Sequence, residues 1–231
     1  PANSRWFAID VGGETDEERR WLDNAADIIW NNVHAANFDA AGFECMLDVV
    51  PAGWCVLFTD INRMAGGGYS FEQWPISECF IASTRQDGRT DTIYRRYALS
   101  AAQAAETFGI DALSDKVQKL ALDKPDDMVQ LVRVIEPRKL KLVGGKLSRN
   151  LPFASYDVEI EDKHLVREQG FEEFPCSVPR WTIIPQSHYA QGPAYHALPD
   201  MLELNELVRL EKAAADLAVS GMWIAEDDGV L

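Results

Sequence analysis

The chain has 231 residues, of which 47% are hydrophobic and 26% charged, with 37 acids against 22 bases and a net charge of −15. That is the composition of an ordinary globular protein, long enough for a real core in one large domain or two small ones. It argues against a protein that wraps nucleic acid, which needs a basic face to release counterions, and no apolar run approaches the ~18 residues of a membrane span. Residues 5–11 (R-W-F-A-I-D-V) alternate well enough to predict a strand. Thr15 with Glu18 three residues later is a capping-box pattern, and Trp21, Ala25, Ile28, Ile29 and Val33 mark one face of the helix it opens. A break at Ala36-Asn37 leads into a second helix over 38–49. From Gly53 the period changes, and 54–59, 69–74, 79–84 and 92–98 predict four short strands, the last two joined by the Asp87-Gly88 turn.

Ser100 opens a helix that Gly109 closes, and Ser114 to Leu122 predicts another, stopped before Pro125. Strands are expected at 129–135 and 139–143, with a turn at Gly144-Gly145, then at 156–161 and across 174–184. The last extended piece contains Val178-Pro179-Arg180-Trp181, where Pro179 lacks a backbone donor and so suits an edge strand or a strand end. Gly192-Pro193 gives a turn, and Pro199-Asp200 signals a helix start. From Pro199 to about Val219 nothing interrupts a long helix, with a broad apolar face and one polar face.

The chemistry of sites is sparse. Gly66-Gly67-Gly68 and Gly144-Gly145-Lys146 lack phosphate-loop spacing. His34, His164, His188 and His196 show no metal-ligand spacing, and Ser177 and Ser187 sit in no nucleophile elbow. The cysteines (Cys45, Cys55, Cys79, Cys176) form no C-x-x-C pair and are expected as buried free thiols. One segment runs against the acidic average: Arg133, Arg138, Lys139, Lys141, Lys146 and Arg149 face a single acid, Glu136. It reads either as a solvated face of a two-stranded element or as an electrostatic contact surface. The chain opens on Pro1 and stops just after the Asp228-Gly229 turn, so it is expected to be a piece of a longer protein.

Val178, Pro179, Arg180 and Trp181, then Tyr189, Gly192, Pro193 and Ala194, then Ala197, Leu198, Pro199 and Asp200, and finally Leu204 and Asn205 resemble, in order and spacing, the head-to-tail connector (portal) proteins of short-tailed bacteriophages. Fainter echoes at Arg5-Trp6-Phe7, Trp21-Leu22, Asn37-Phe38 and Phe108-Gly109 extend the resemblance over most of the chain. Two places depart from the family pattern: Ala190-Gln191 stands where Gly-Arg is usual, and Ser187-His188 where Gly-Glu is usual.

The resemblance implies an α+β, portal-like fold: a mixed wing with a small β-barrel or curled sheet, stem helices, and a small β-rich clip insertion. It places the wing at 1–98, the first stem helices at 99–126, the clip at 127–188 and the second stem helix at 189–221, with 222–231 beginning a return strand to the wing. It implies a structural, non-enzymatic subunit of a dodecameric ring at one capsid vertex of the virion, assembled in the bacterial host cytoplasm. The ring would form the channel for DNA packaging and ejection. No cofactor is implied and no membrane. The implied partners are further copies of the chain, a terminase motor, a tail adaptor, capsid or scaffold proteins, and double-stranded DNA passing without sequence specificity. Glu203, Glu206, Glu211 and Asp216 become candidates for a weakly repelling channel lining, with Arg209 and Lys212 as sparse phosphate contacts. The basic segment becomes a candidate contact for motor, adaptor or DNA. Two other readings stay open: an acidic α+β hydrolase with a dispersed site, and a monomeric phage assembly adaptor.

Overall fold

A computed structural model describes residues 5–13, 15–61, 68–139 and 147–221, with the side chain of Arg149 excepted. Helix α1, Asp16–Ala35, begins where the sequence says it must. The Thr15 hydroxyl accepts from the Glu18 N–H while the Glu18 carboxylate accepts from the Thr15 N–H, which satisfies two of the helix's orphan donors. The Thr15 backbone bond, with the Thr15 hydroxyl, holds the Glu18 pKa below its ordinary value. Helix α2, Phe38–Ala52, ends at Gly53, whose φ of 86° only glycine adopts without strain. The stretch 5–11, expected as a strand, is not in a strand among the described residues.

Strands β1 (Val56–Ile61) and β2 (Tyr69–Trp74) pair antiparallel, and the short β8 (Cys176–Ser177) adds to the other side of β1. A second sheet runs in the order β3 (Cys79–Ala82), β4 (Thr92–Ser100), β5 (Met128–Pro137), β6 (Phe153–Glu159) and β7 (Leu165–Phe171). Helices α3 (Ala101–Phe108) and α4 (Asp115–Asp123), capped by Ser100 and Ser114, join β4 to β5. The α+β class expected from the sequence is the one observed. Among the described residues the sheets are antiparallel and none closes into a barrel. Strand β7 had no sequence signal: Leu165 to Phe171 carries Arg167, Glu168 and Gln169, and alternation of apolar residues is absent. The strand expected at 139–143 falls on residues 140–143, outside those described.

Two structural facts bear on the expected division at 98 and 126. Strand β4 pairs with β5 over eight positions, from Ile93↔Ile135 to Ser100↔Met128, so strands from both sides of that division share one sheet. The helices between them are short, and Ala101, Ala104 and Val117 pack under the sheet with Leu131, Val129 and Val166. The main core lies between the two sheets, where Trp54, Val56, Phe58, Trp74, Ile93 and Ile135 meet. Phe58 stacks on Trp74 at 4.8 Å between ring centroids, an offset arrangement that aromatic quadrupoles favour. All four cysteines are buried and unpaired, and burial pushes the Cys79 thiol up to about 12.

Candidate functional site

The Val178–Trp181 motif, the Tyr189–Ala194 motif and Gly53 converge on one place, where the last helix leaves the body. Arg180 bridges to Trp54, and its guanidinium donates to the Gly88 carbonyl at 2.9 Å and the His188 carbonyl at 3.4 Å. It thereby ties the Asp87-Gly88 turn to the segment that precedes the helix. The Trp181 N–H donates to the Gly53 carbonyl at 2.7 Å, and Tyr189 meets the Trp54 ring edge-on at 5.3 Å. Strands β9 (Thr182–Ile183) and β10 (Ala190–Gln191) close the small hairpin between them. Ala190, one of the departures from the family pattern, is buried there.

Gly192 then passes so close to the end of α2 that a Cβ would lie 2.3 Å from the Val50 carbonyl and 2.7 Å from that of Val49. A Cβ on Gly53 would lie 2.2 Å from the Gln191 carbonyl carbon. Two glycines, one on each chain segment, permit this backbone contact, and no other residue fits either position. The anchor sets where the helix starts and in which direction it departs.

Helix α5 runs from Pro193 to Ser220, 28 residues or ~42 Å. It begins earlier than the Pro199 signal: Pro193 takes the first helical position, and Pro199 sits inside. A proline less than two turns into a helix removes one hydrogen bond without ending the run. Every residue from Tyr195 to Ser220 is exposed. The packed helix with one polar face that the sequence predicts is therefore not what a single chain presents. At about 100° per residue the apolar side chains point in every direction, and the charges are interspersed among them. Glu206 and Arg209 pair with each other at 2.6 Å. Glu203, Glu211, Lys212 and Asp216 have side chains without a partner among the described residues.

The basic segment behaves differently. Arg133 is not on a solvated face: it lies on the inward parity of β5 with Leu131 and Ile135, since alternate residues of a strand share a face. Register aligns Cys79, Arg95, Arg133, Asp157 and Arg167 in one row across five strands. Asp157 is only 1% exposed, and both Arg133 (2.7 Å) and Arg167 (2.9 Å) hold it. Arg95 donates to Glu72 at 2.6 Å and Glu78 at 2.9 Å, with its guanidinium 4.9 Å from the centre of the Trp74 ring. Burial opposes the charge on Arg133, but Asp157, with Tyr97 and Glu72, outweighs it and keeps the arginine pKa above its ordinary value. Burial also lifts the Tyr97 hydroxyl, which donates to Asp157, to about 12.

A cleft of about 380 Å³ opens beside this row, lined by Arg133, Arg167, Glu72, Ser155, Phe58 and Phe171 among others. The positive and negative groups around it balance nearly one for one, so the row reads as a weld between the sheets. Among the described residues no cluster of three His, Cys, Asp or Glu side chains is placed to hold a metal. Arg138 is also engaged, by Glu168 at 2.7 Å and the carbonyls of Leu151 and Gln169. Lys139 is exposed, Lys141 and Lys146 lie outside the described residues, and the Arg149 side chain is among those left undescribed. Sequence reasoning missed Arg95, Asp157 and Arg167. The available signal was the charged residue at an inward position of an otherwise alternating strand.

Comparison with known proteins gives one family, described as bacteriophage head to tail connecting protein, which matches residues 1–231. A probable portal protein of Bordetella phage BPP-1 is 32% identical over 142 residues, which are 60% of this chain and 25% of the relative. The portal protein of Salmonella phage epsilon15 is 28% identical over 141 residues, 60% of this chain and 24% of the relative. The matched part thus spans about a quarter of the length of either relative.

Proposed function

We propose that this chain, which belongs to the bacteriophage head to tail connecting protein family, is part of a structural portal subunit that assembles into a ring around a DNA channel at one capsid vertex. The observation that carries this reading is α5. A helix apolar on all sides belongs in a packed environment, yet from Tyr195 onward every residue of it stays exposed among the described residues. Identical chains related by cyclic symmetry supply that cover on both flanks at once and close into a ring.

In this proposal α5 is the second stem helix and takes the channel-lining role within residues 189–221. Glu203, Glu206, Glu211 and Asp216 repel the DNA backbone weakly, and Arg209 and Lys212 offer sparse phosphate contacts. Residues 1–98 take the wing, 99–126 the first stem helices, 127–188 the clip, and 222–231 the start of the return to the wing. Strand β4, assigned here to the wing, pairs with β5, assigned to the clip. Among the described residues of the basic segment Lys139 is exposed, and it is the first to test as a contact for a terminase motor, a tail adaptor or DNA. The ring is a virion component in this reading, dodecameric, assembled in the host cytoplasm with capsid or scaffold proteins, and it performs no chemistry of its own. Light scattering on size-exclusion fractions of the full-length protein, with negative-stain imaging, tests it. Rings with a central hole are expected, and a strict monomer across salt and concentration overturns the reading.

A further inference from the structure

Glu159, the last residue of β6, stands opposite Leu131 on the core-facing parity of the sheet and is only 1% exposed. Its Oε1 accepts from the Ser114 N–H at 3.1 Å, at the start of α4, where a helix's unpaired donors favour an acid. Its Oε2 is buried and has no hydrogen-bond partner among the described residues. Buried polar atoms are nearly always paired, because an unmet one forfeits its hydration, so an orphaned carboxyl oxygen points to a donor from elsewhere.

Glu159 also lines a cavity of about 50 Å³ between α4, the start of β5 and the turn from β6 to β7. One wall is apolar, built by Val117 and Leu120 of α4 and Val129 of β5. The rest carries Lys116, Glu161 and Asp162 beside Glu159. Lys116 is already paired with Glu161 and its side chain is 61% exposed. One Asp162 oxygen accepts from the Ser114 hydroxyl at 3.1 Å, and the other has no partner among the described residues. Beyond the Lys116–Glu161 pair, the lining thus holds two carboxyl groups and no cation.

We infer that this cavity receives a primary alkylammonium group, which donates to Glu159 Oε2 and Asp162 and lays its first carbon against Val117, Leu120 and Val129. An ammonium has three donors and no acceptor, so it meets an orphaned acceptor and a second carboxylate at once. Its apolar stem matches the apolar wall. At ~30 Å³ per water-sized group, the cavity holds the charged head and about one methylene. A hard metal ion matches less well, since it takes six or more oxygens or brings its own waters. Here one wall is apolar, and among the described residues no third ligating side chain stands beside the two carboxyl groups. The ammonium belongs either to a lysine of another protein or to a free alkyl amine, and the chemistry is the same for both. This site does not rest on the ring reading.

The test is titration calorimetry on the full-length protein at constant ionic strength, with n-butylamine, Nα-acetyl-lysinamide, 1,4-diaminobutane, n-butanol, and magnesium and calcium chloride. Saturable binding of n-butylamine but not of n-butanol is expected. Glu159→Gln, which keeps the acceptor for Ser114, is expected to weaken it about tenfold, the scale of one charge-assisted hydrogen bond. Asp162→Asn, at an exposed position, is expected to weaken it about threefold and serves if Glu159→Gln fails to fold. Acetyl-lysinamide matching n-butylamine assigns the site to a protein lysine, and tighter binding of the diamine assigns it to a free amine. Equal binding of n-butanol overturns the inference in favour of an apolar crevice, and Glu159-dependent binding of magnesium or calcium overturns it in favour of a metal site. No binding of any amine also overturns it and leaves Oε2 to a water or a proton.

Discussion

The body of the protein, through Gln191, and the helix that leaves it treat misplaced residues in opposite ways. In the body, charges stand on the core face of a sheet and each finds a partner there: Asp157 between Arg133 and Arg167, Arg95 between Glu72 and Glu78. In α5, apolar residues stand on every face and from Tyr195 on stay exposed among the described residues. A buried charge without a counter-charge costs several kcal/mol, so the body has to resolve its conflict inside one chain. An exposed leucine costs far less and can wait for another molecule. The body thus resolves its buried charges internally, whereas α5 leaves its apolar residues exposed, and four changes test that contrast.

The largest effect is expected at Asp157. Asp157→Ala leaves Arg133 buried without its carboxylate, and a loss of about 3–5 kcal/mol in urea unfolding follows from removing one partner of a buried pair. A loss below about 1 kcal/mol would mean that the row is solvated and the contrast with α5 overdrawn. Next comes the anchor. Gly192→Ala forces a Cβ against the carbonyls of Val49 and Val50, and a cost of about 1–3 kcal/mol is expected from overpacking. The same variant is expected to weaken assembly, because α5 then leaves the body in another direction.

Alkaline pH gives the third. Burial raises Tyr97 and Cys79 to about 12 from ordinary values of 10.0 and 9.0. Raised folded values mean that the stability they contribute is whole below pH 9–10 and is lost as pH climbs towards 12. Tyr97→Phe is expected to remove up to about 2 kcal/mol of that pH dependence, and an unchanged profile would place the hydroxyl in solvent. The smallest effect belongs to α5. Leu204→Asp is expected to shift the unfolding of the unassembled chain by less than about 0.5 kcal/mol, since Leu204 is exposed and joins no core among the described residues, while it lowers assembly measured by light scattering. A large loss in the unassembled chain would show that α5 packs on its own body.

Where the deciding interactions are local, the sequence was enough. Thr15 with Glu18, Ser100, Gly109 and Ser114 set helix ends through bonds that reach only three or four residues, and each end falls where those residues put it. The Val178–Asn205 motif likewise marked the family and the place where the long helix departs. Partnership across the chain was another matter. Strand β7 is a strand because β6 offers it an edge, which nothing in its own residues signals. Arg133 looked like part of a basic surface because charge is counted along the sequence, whereas burial is decided by strand parity and by which carboxylate lies opposite in the register. Gly192 looked like a turn residue, but its glycine is required by the carbonyls of Val49 and Val50, some 140 positions away. Composition, caps and motif lie within the reach of a few bonds and were fixed by the sequence alone; the buried ion row, the anchor and the bare helix follow from distant segments sharing space, which only the tertiary structure decided.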